Sequence, residues 1–389
     1  MMKKQVKRII TVILTIYGFT ALTSCIKEEL PNTECDILSA WVEGEQYESN
    51  FFQANQMRVD NISSNEKEII FTVRSTFSLP KSLPVHFAIT SGATIEPANG
   101  SEQDFTEGPV TYTVTSQDGA WKREYKVVFR EASLPSHTFG FEWVDEEMGY
   151  NNSIYHVFYE KDQSGNRHNI WASGNAGVTI VNPDWIPERF PTRSIANGYV
   201  GKGVCLNTQY AGDLGKLFGK PIAAGNLFLG KFNVDKVLSD PLKTTEFGIP
   251  IDKEPVRVTG YYKYQPGKEF TNAKMEVVPG RIDEASVYAV FYRNVDDDGN
   301  DVKLYGDDVF TNPNILKIAE VKSLPPTNEW TRFEMFFEGK DADDQLVESR
   351  GYNMTIVFSS SKEGAAFEGA IGSTLYIDEV EVSFELEDE

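Results

Sequence analysis

Residues 110–129 read VTYTVTSQDGAWKREYKVVF, and this pattern restricts the fold more than any other feature of the chain. Val110, Tyr112 and Val114 fall on one side of an extended run, and Tyr125, Val127 and Phe129 do so on a second. Side chains alternate across a strand, so each run has one apolar and one wet face. Asp118-Gly119 between them suits a tight reversal, because both residues tolerate the left-handed backbone of hairpin turns. A β-hairpin is predicted. Glu68–Val73 and Val85–Thr90 read as further strands, with Pro80, Pro84 and Pro97 at the edges. About 95 residues of short strands without a helical period predict a β-sandwich over 36–131.

Farther on, Val256–Tyr264, Ala285–Tyr292, Thr331–Phe337, Met354–Phe358 and Leu375–Phe384 are strand-like and more widely spaced. This spacing predicts a second, larger double-sheet domain with long loops over 136–389, after the linker Ser133-Leu134-Pro135-Ser136. The expected class is all-β with two domains, consistent with a chain of 389 residues being too long for one core. With 40 % apolar and 12 % aromatic residues it can build both cores.

The N-terminus carries an address. Lys3, Lys4, Lys7 and Arg8 precede an apolar stretch of fourteen residues, Ile9–Leu22, too short for a bilayer span of roughly 20 and suited to a secretory signal over 1–24. Leu22-Thr23-Ser24-Cys25 resembles the lipobox of bacterial lipoproteins, which implies lipidation at Cys25 and a tether over 25–35. Lys27, Glu28 and Glu29 resemble the surface-export signal of Bacteroidetes lipoproteins. The expected location is the outer membrane, lipid-anchored and facing outward, with no membrane contact beyond the anchor. The net charge is −21, and −25 once the four basic residues of the leader are removed, which speaks against nucleic-acid partners. Cys35 and Cys205 can form a long-range disulfide or two buried thiols; their separation into different domains favours thiols.

Gly92–Phe129 resembles Ig-like modules of Bacteroidetes surface proteins, which implies a spacer. FEWVD (141–145), IWASGNAG (170–177), AAGNLFLGKF (223–232), PVRVTGYYKYQPG (255–267) and GAIGSTLYIDEVEV (369–382) together resemble the carbohydrate metabolism domain of Bacteroidetes lipoproteins. That resemblance implies a jelly-roll sandwich akin to carbohydrate-binding modules and a role in glycan use. In such modules an Asp of the last strand and a Glu early in the first often hold a structural calcium, and Asp378 and Glu142 occupy matching places. Read by simple alternation, Tyr376, Asp378, Val380 and Val382 share a face, where an aspartate needs a partner or a cation. A hydrogen-bonded carboxylate satisfies the same demand. The acidic run Asp296–Asp301 lacks EF-hand spacing and reads as a hairpin turn.

Aromatic residues are the candidate sugar contacts, since pyranose C–H faces pack on their rings. Trp171 beside Ser173, Gly174 and Asn175, and Trp185 beside Asn182, Asp184 and Arg189, lie in turn-rich stretches. Tyr261 and Lys263 share one strand face and Tyr262 and Tyr264 the other, so one pair should point outward. Each Trp fits a core position as well. Asp145, Glu146, Glu147, Asp184, Glu188 and Asp213 are loop carboxylates, but no spacing singles out the facing pair that a glycosidase requires. The reading is therefore a surface lipoprotein that binds polysaccharide or oligosaccharide, alone or with neighbouring surface lipoproteins. A carboxylate-pair glycoside hydrolase is the alternative, and a structural or adhesive protein the second alternative.

Overall fold

The computed structural model describes residues 31–384 apart from 49, 52–53, 74–78, 132–136 and 163–164; the leader and Cys25 lie outside the described residues. Among the described residues no helix is long and apolar enough to cross a membrane.

The first seven strands to be named are β1 Ile37–Trp41, β2 Arg58–Asp60, β3 Glu68–Val73, β4 His86–Ile89, β5 Thr94–Glu96, β6 Val110–Thr115 and β7 Lys122–Glu131. They form one sheet in the order β2-β1-β4 and another in the order β3-β7-β6-β5. The β6/β7 hairpin pairs Val110 with Val127 and Thr115 with Lys122, as the alternation predicts. Ile69, Phe71, Tyr112, Val114, Tyr125 and Val127, the apolar faces of these strands, are fully buried and close a core of their own.

The larger sandwich uses β8 Thr138–Phe139, β9 Trp171–Ala172, β10 Thr192–Ile195, β11 Gly203–Asn207, β12 Asn226–Phe232 and β13 Arg257–Gln265. It continues with β14 Ser286–Arg293, β15 Ile315–Glu320, β16 Thr327–Phe336, β17 Glu338–Gly339, β18 Tyr352–Ser359 and β19 Thr374–Ser383. One sheet runs β10-β11-β19-β13-β16, with β8 added beside β19; the other runs β9-β12-β18-β14-β15-β17. Their inner faces meet in a core that includes Val204, Leu206, Val258, Tyr262, Val287, Phe291, Ile356 and Phe358. Strand β14 is apolar from Val287 to Tyr292 because it is buried twice. Val287, Ala289 and Phe291 face this core, whereas Tyr288, Val290 and Tyr292 face a second cluster with Phe247, Leu304 and Val309 under the loops. Those loops cover the back of one sheet, and the back of the other is left as an open face.

Strand β19 departs from simple alternation. Leu375 and Ile377 enter the core on one side of Asp378-Glu379, and Val380 and Val382 enter it on the other. Against β13 the register steps from Tyr261↔Asp378 to Thr259↔Glu381, three residues for two. This is a β-bulge, and Glu379 sits in it at φ +48°. The single face expected for Tyr376, Asp378, Val380 and Val382 is thus corrected: Tyr376 and Asp378 lie on the open face.

The two sandwiches meet through polar groups. Ser64 donates its hydroxyl to Asp235 at 2.6 Å, Val234 N–H donates to Ser63 Oγ at 3.2 Å, and Lys231 pairs with Glu66 at 2.8 Å. Cys35 and Cys205 are free and buried, in separate sandwiches.

Candidate functional site

Cross-strand register fixes what lies side by side on the open face. One row runs Arg193↔Cys205↔Tyr376↔Lys263 across β10, β11, β19 and β13. Lys263 then places its ammonium 4.7 Å from the ring centroid of Trp330 on β16. Cys205 is buried beneath this row, and Arg193, Tyr376, Lys263 and Trp330 are half-buried. On one flank Tyr261, opposite Asp378 and Arg332, carries the ring of Tyr199 stacked at 3.8 Å and 12°. Tyr199 is 45 % exposed and lies edge-on to Trp330 at 6.3 Å.

On the other flank, Asn207↔Thr374↔Gln265 leads to a cleft of roughly 400 Å³ at the end of the sandwich. Trp185, Arg189, Gln209, Tyr210 and Ile371 line it with Asn207. Arg189 lies 4.9 Å from the Trp185 ring centroid, and Trp185 rests edge-on against buried Phe190. Five strands at about 4.8 Å spacing make a track some ~19 Å wide, enough for a chain of rings rather than one. Its parts are flat aromatic faces interleaved with amides, hydroxyls and cations, the chemistry that packs on C–H faces and bonds sugar hydroxyls.

Carboxylates at the Tyr199 flank are held by backbone. Asp378 is fully buried, and its Oδ2 accepts from Val200 N at 2.9 Å and its Oδ1 from Glu379 N at 2.8 Å. Burial raises its pKa to about 6, against these lowering hydrogen bonds. Glu142 Oε1 accepts from Lys202 N at 2.8 Å. The 196–203 loop thus spans both acids, and its glycines permit the approach: a Cβ on Gly198 would lie 2.5 Å from Asp378 Oδ2, and one on Gly201 1.9 Å from Glu142 Oε1. Among the described residues there is no group of three His, Cys, Asp or Glu side chains that could hold a metal ion, and Glu142 and Asp378 each accept from backbone amides. The Asp296–Asp301 run is a turn, with Asp296 Oδ1 accepting from Asp298 N and Asn300 N.

Residues 140–383 match the family described as "Putative carbohydrate metabolism domain". The chain belongs to this family. Its carbohydrate metabolism domain is preceded by residues 49–128, which match "SGBP, N-terminal". The chain is similar to a crystal structure named as a "putative glycoside hydrolase" from Bacteroides thetaiotaomicron, with 38 % identity and a TM-score of 0.79, covering 93 % of this chain and 100 % of that one. A similarly named structure from Bacteroides vulgatus is 38 % identical with a TM-score of 0.59, over 64 % of this chain and 98 % of that one. No curated protein matches the chain.

Within the carbohydrate metabolism domain the expected sugar contacts divide. Trp171 is a core residue, 6 % exposed, packed on Phe139 and Phe141 at 5.3 Å, with its indole N–H donated to Glu160 at 3.0 Å. It is no platform, because its short strand lies against the aromatic core. Tyr262 and Tyr264 are likewise buried, since the inward parity of β13 is set by Val258. Tyr261 and Trp185 remain at the surface, at opposite flanks of the track. Tyr199, Trp330, Tyr376 and Arg193 join the track from outside the expected set of sugar contacts. Trp330 shares parity with exposed Arg332 and Glu334, opposite to buried Phe333 and Met335, so its outward position was legible. Tyr376 was hidden by the bulge and Tyr199 by a loop.

Proposed function

We propose that this protein binds a glycan chain along the open face of its carbohydrate metabolism domain, with the N-terminal module as spacer on a cell-surface lipoprotein. The observation that carries the reading is the track itself: Tyr376, Trp330 and the Tyr199–Tyr261 stack on one uncovered sheet face, with Trp185 in the cleft at its end and polar groups between them. Membership of the carbohydrate metabolism family and the match to the surface glycan-binding N-terminal family support it. Lipidation at Cys25 and export to the outer surface complete the reading and rest on the sequence at 22–29.

Hydrolysis is a second reading, favoured by the names of the two similar Bacteroides structures. It requires two facing carboxylates. The cleft lining contains none, and Asp378 and Glu142 are engaged by amides, so binding is the better account.

The test is affinity electrophoresis of the full chain through gels containing a panel of polysaccharides, beside Tyr261→Ala and Trp330→Ala. Retardation by at least one polysaccharide, weakened in both variants, is the expected result. Unchanged mobility in every gel refutes binding, and release of reducing ends during the run replaces it with hydrolysis.

A further inference from the structure

We infer that the glycan held on this track is acidic, carrying carboxylate or sulfate groups that meet Arg189, Arg193 and Lys263. The inference rests on the glycan-binding reading above and names the class of ligand.

It comes from the distribution of charge. The chain has 58 Asp and Glu against 37 Lys and Arg, and many basic side chains have an acid beside them, as Lys231, Lys303, Lys317 and Arg350 do. Along the track three cations have none. Among the described residues Arg189, Arg193 and Lys263 form no ion pair. Arg189 lies over Trp185, Arg193 donates to the Phe190 carbonyl at 3.2 Å, and Lys263 lies over Trp330. Each cation is held against an aromatic ring or a carbonyl, which leaves donors free for an incoming anion.

The nearby acids do not offset them. No Asp or Glu lines the Trp185 cleft. Asp213 accepts the Tyr210 hydroxyl at 2.7 Å, and Glu146, Glu188 and Arg193 are all within electrostatic reach of His156, with neither glutamate in an ion pair among the described residues. Asp378 accepts from two amides and Glu142 from another, and Glu379 lies beside Gly140 at the far end. An acidic protein that keeps a cationic strip on its aromatic face selects, by charge complementarity, a ligand of opposite sign, while the rest of its surface repels that ligand elsewhere. Alternating rings and cations match a polymer whose sugars offer an apolar face and an anionic substituent at intervals. A neutral glycan would leave three charges partly desolvated without return.

The experiment measures binding of the full chain to matched pairs: polygalacturonan and glucuronoxylan against their carboxyl-reduced forms, and chondroitin sulfate against its desulfated form. Expected is tight binding to at least one acidic member, at least tenfold weaker binding to its neutralised partner, and loss of affinity with added salt. The pair that discriminates tells carboxylate from sulfate. In Arg189→Gln, Arg193→Gln and Lys263→Gln, each expected to keep its fold by circular dichroism, affinity for the acidic member falls roughly tenfold per charge and the salt dependence flattens. Equal affinity for both members of every bound pair overturns the inference and leaves glycan binding standing. Binding to no member of the panel overturns both.

Discussion

Replacing Glu160 by Gln should stabilise this protein at neutral and alkaline pH and leave it unchanged in acid. Glu160 is 6 % exposed, and among the described residues its carboxylate accepts only from the indole N–H of Trp171. Burial raises its pKa from 4.5 to about 7, with the Trp171 hydrogen bond working the other way. A folded-state pKa above the unfolded value means that the native state binds its proton more tightly. The associated stability is therefore complete below about pH 4.5 and is lost as pH rises through about 7. The interval corresponds to about 3 kcal/mol, a large share of an ordinary domain's stability. Gln presents the same acceptor to Trp171 and, like the protonated acid, carries donor hydrogens on its other atom, so the comparison at low pH nearly cancels. Urea unfolding of both proteins near pH 4, 6 and 8, followed by near-ultraviolet circular dichroism, should give equal stability near pH 4 and a variant more stable by up to about 3 kcal/mol near pH 8. Parallel pH profiles, or a variant weaker at pH 8, would refute the claim that a buried charge is being carried there.

Three further outcomes are expected. Gly198→Ala places a methyl group 2.3 Å from the Lys202 carbonyl, so the 196–203 loop must shift; it should cost about 1–3 kcal/mol and weaken glycan retention although the residue touches no ligand, as calorimetry and affinity electrophoresis will show. Calcium or EDTA should leave the thermal midpoint unchanged, since amides already occupy Glu142 and Asp378; a midpoint that rises with calcium would restore the metal to that loop. Tyr261→Ala and Trp330→Ala should each bind roughly tenfold more weakly in titration calorimetry with little change in stability, because each loses a half-exposed ring worth about 1 kcal/mol of stacking plus its apolar contact.

Most of the scaffold was legible because strand parity is a local property. Val110–Thr115 and Lys122–Glu131 alternate without interruption, and the hairpin followed. The core strands of the larger sandwich were also readable, and β13 declared its two faces even though it did not say which was wet. Long-range events were not legible. The bulge at Asp378-Glu379 depends on pairing with a strand more than a hundred residues earlier, so the outward turn of Tyr376 could not be seen in its own neighbourhood. Trp171 lies among polar, small residues that look like a loop, yet its two-residue strand pairs with Leu229 and Phe228 against the core. Tyr199 meets Tyr261 only because a glycine-rich loop folds over two carboxylates, and that closure is a tertiary event.

The extra residue in β19 acts as a phase shifter. Before it, odd-numbered side chains belong to the interior; after it, even-numbered ones do. Loss of one codon at 378 or 379 would remove the shift and not a face: Leu375, Ile377, Val380 and Val382 would then alternate without interruption on the core side, and Tyr376 would stay outward. Substitutions can drift at this point, and Asn or Gly in place of Glu379 would even suit its left-handed backbone. What the bulge adds is therefore local, the left-handed turn at Glu379 and the carboxylate of Asp378 beneath the 196–203 loop, and a relative one residue shorter there is expected to keep the Tyr376 row and lose that loop contact.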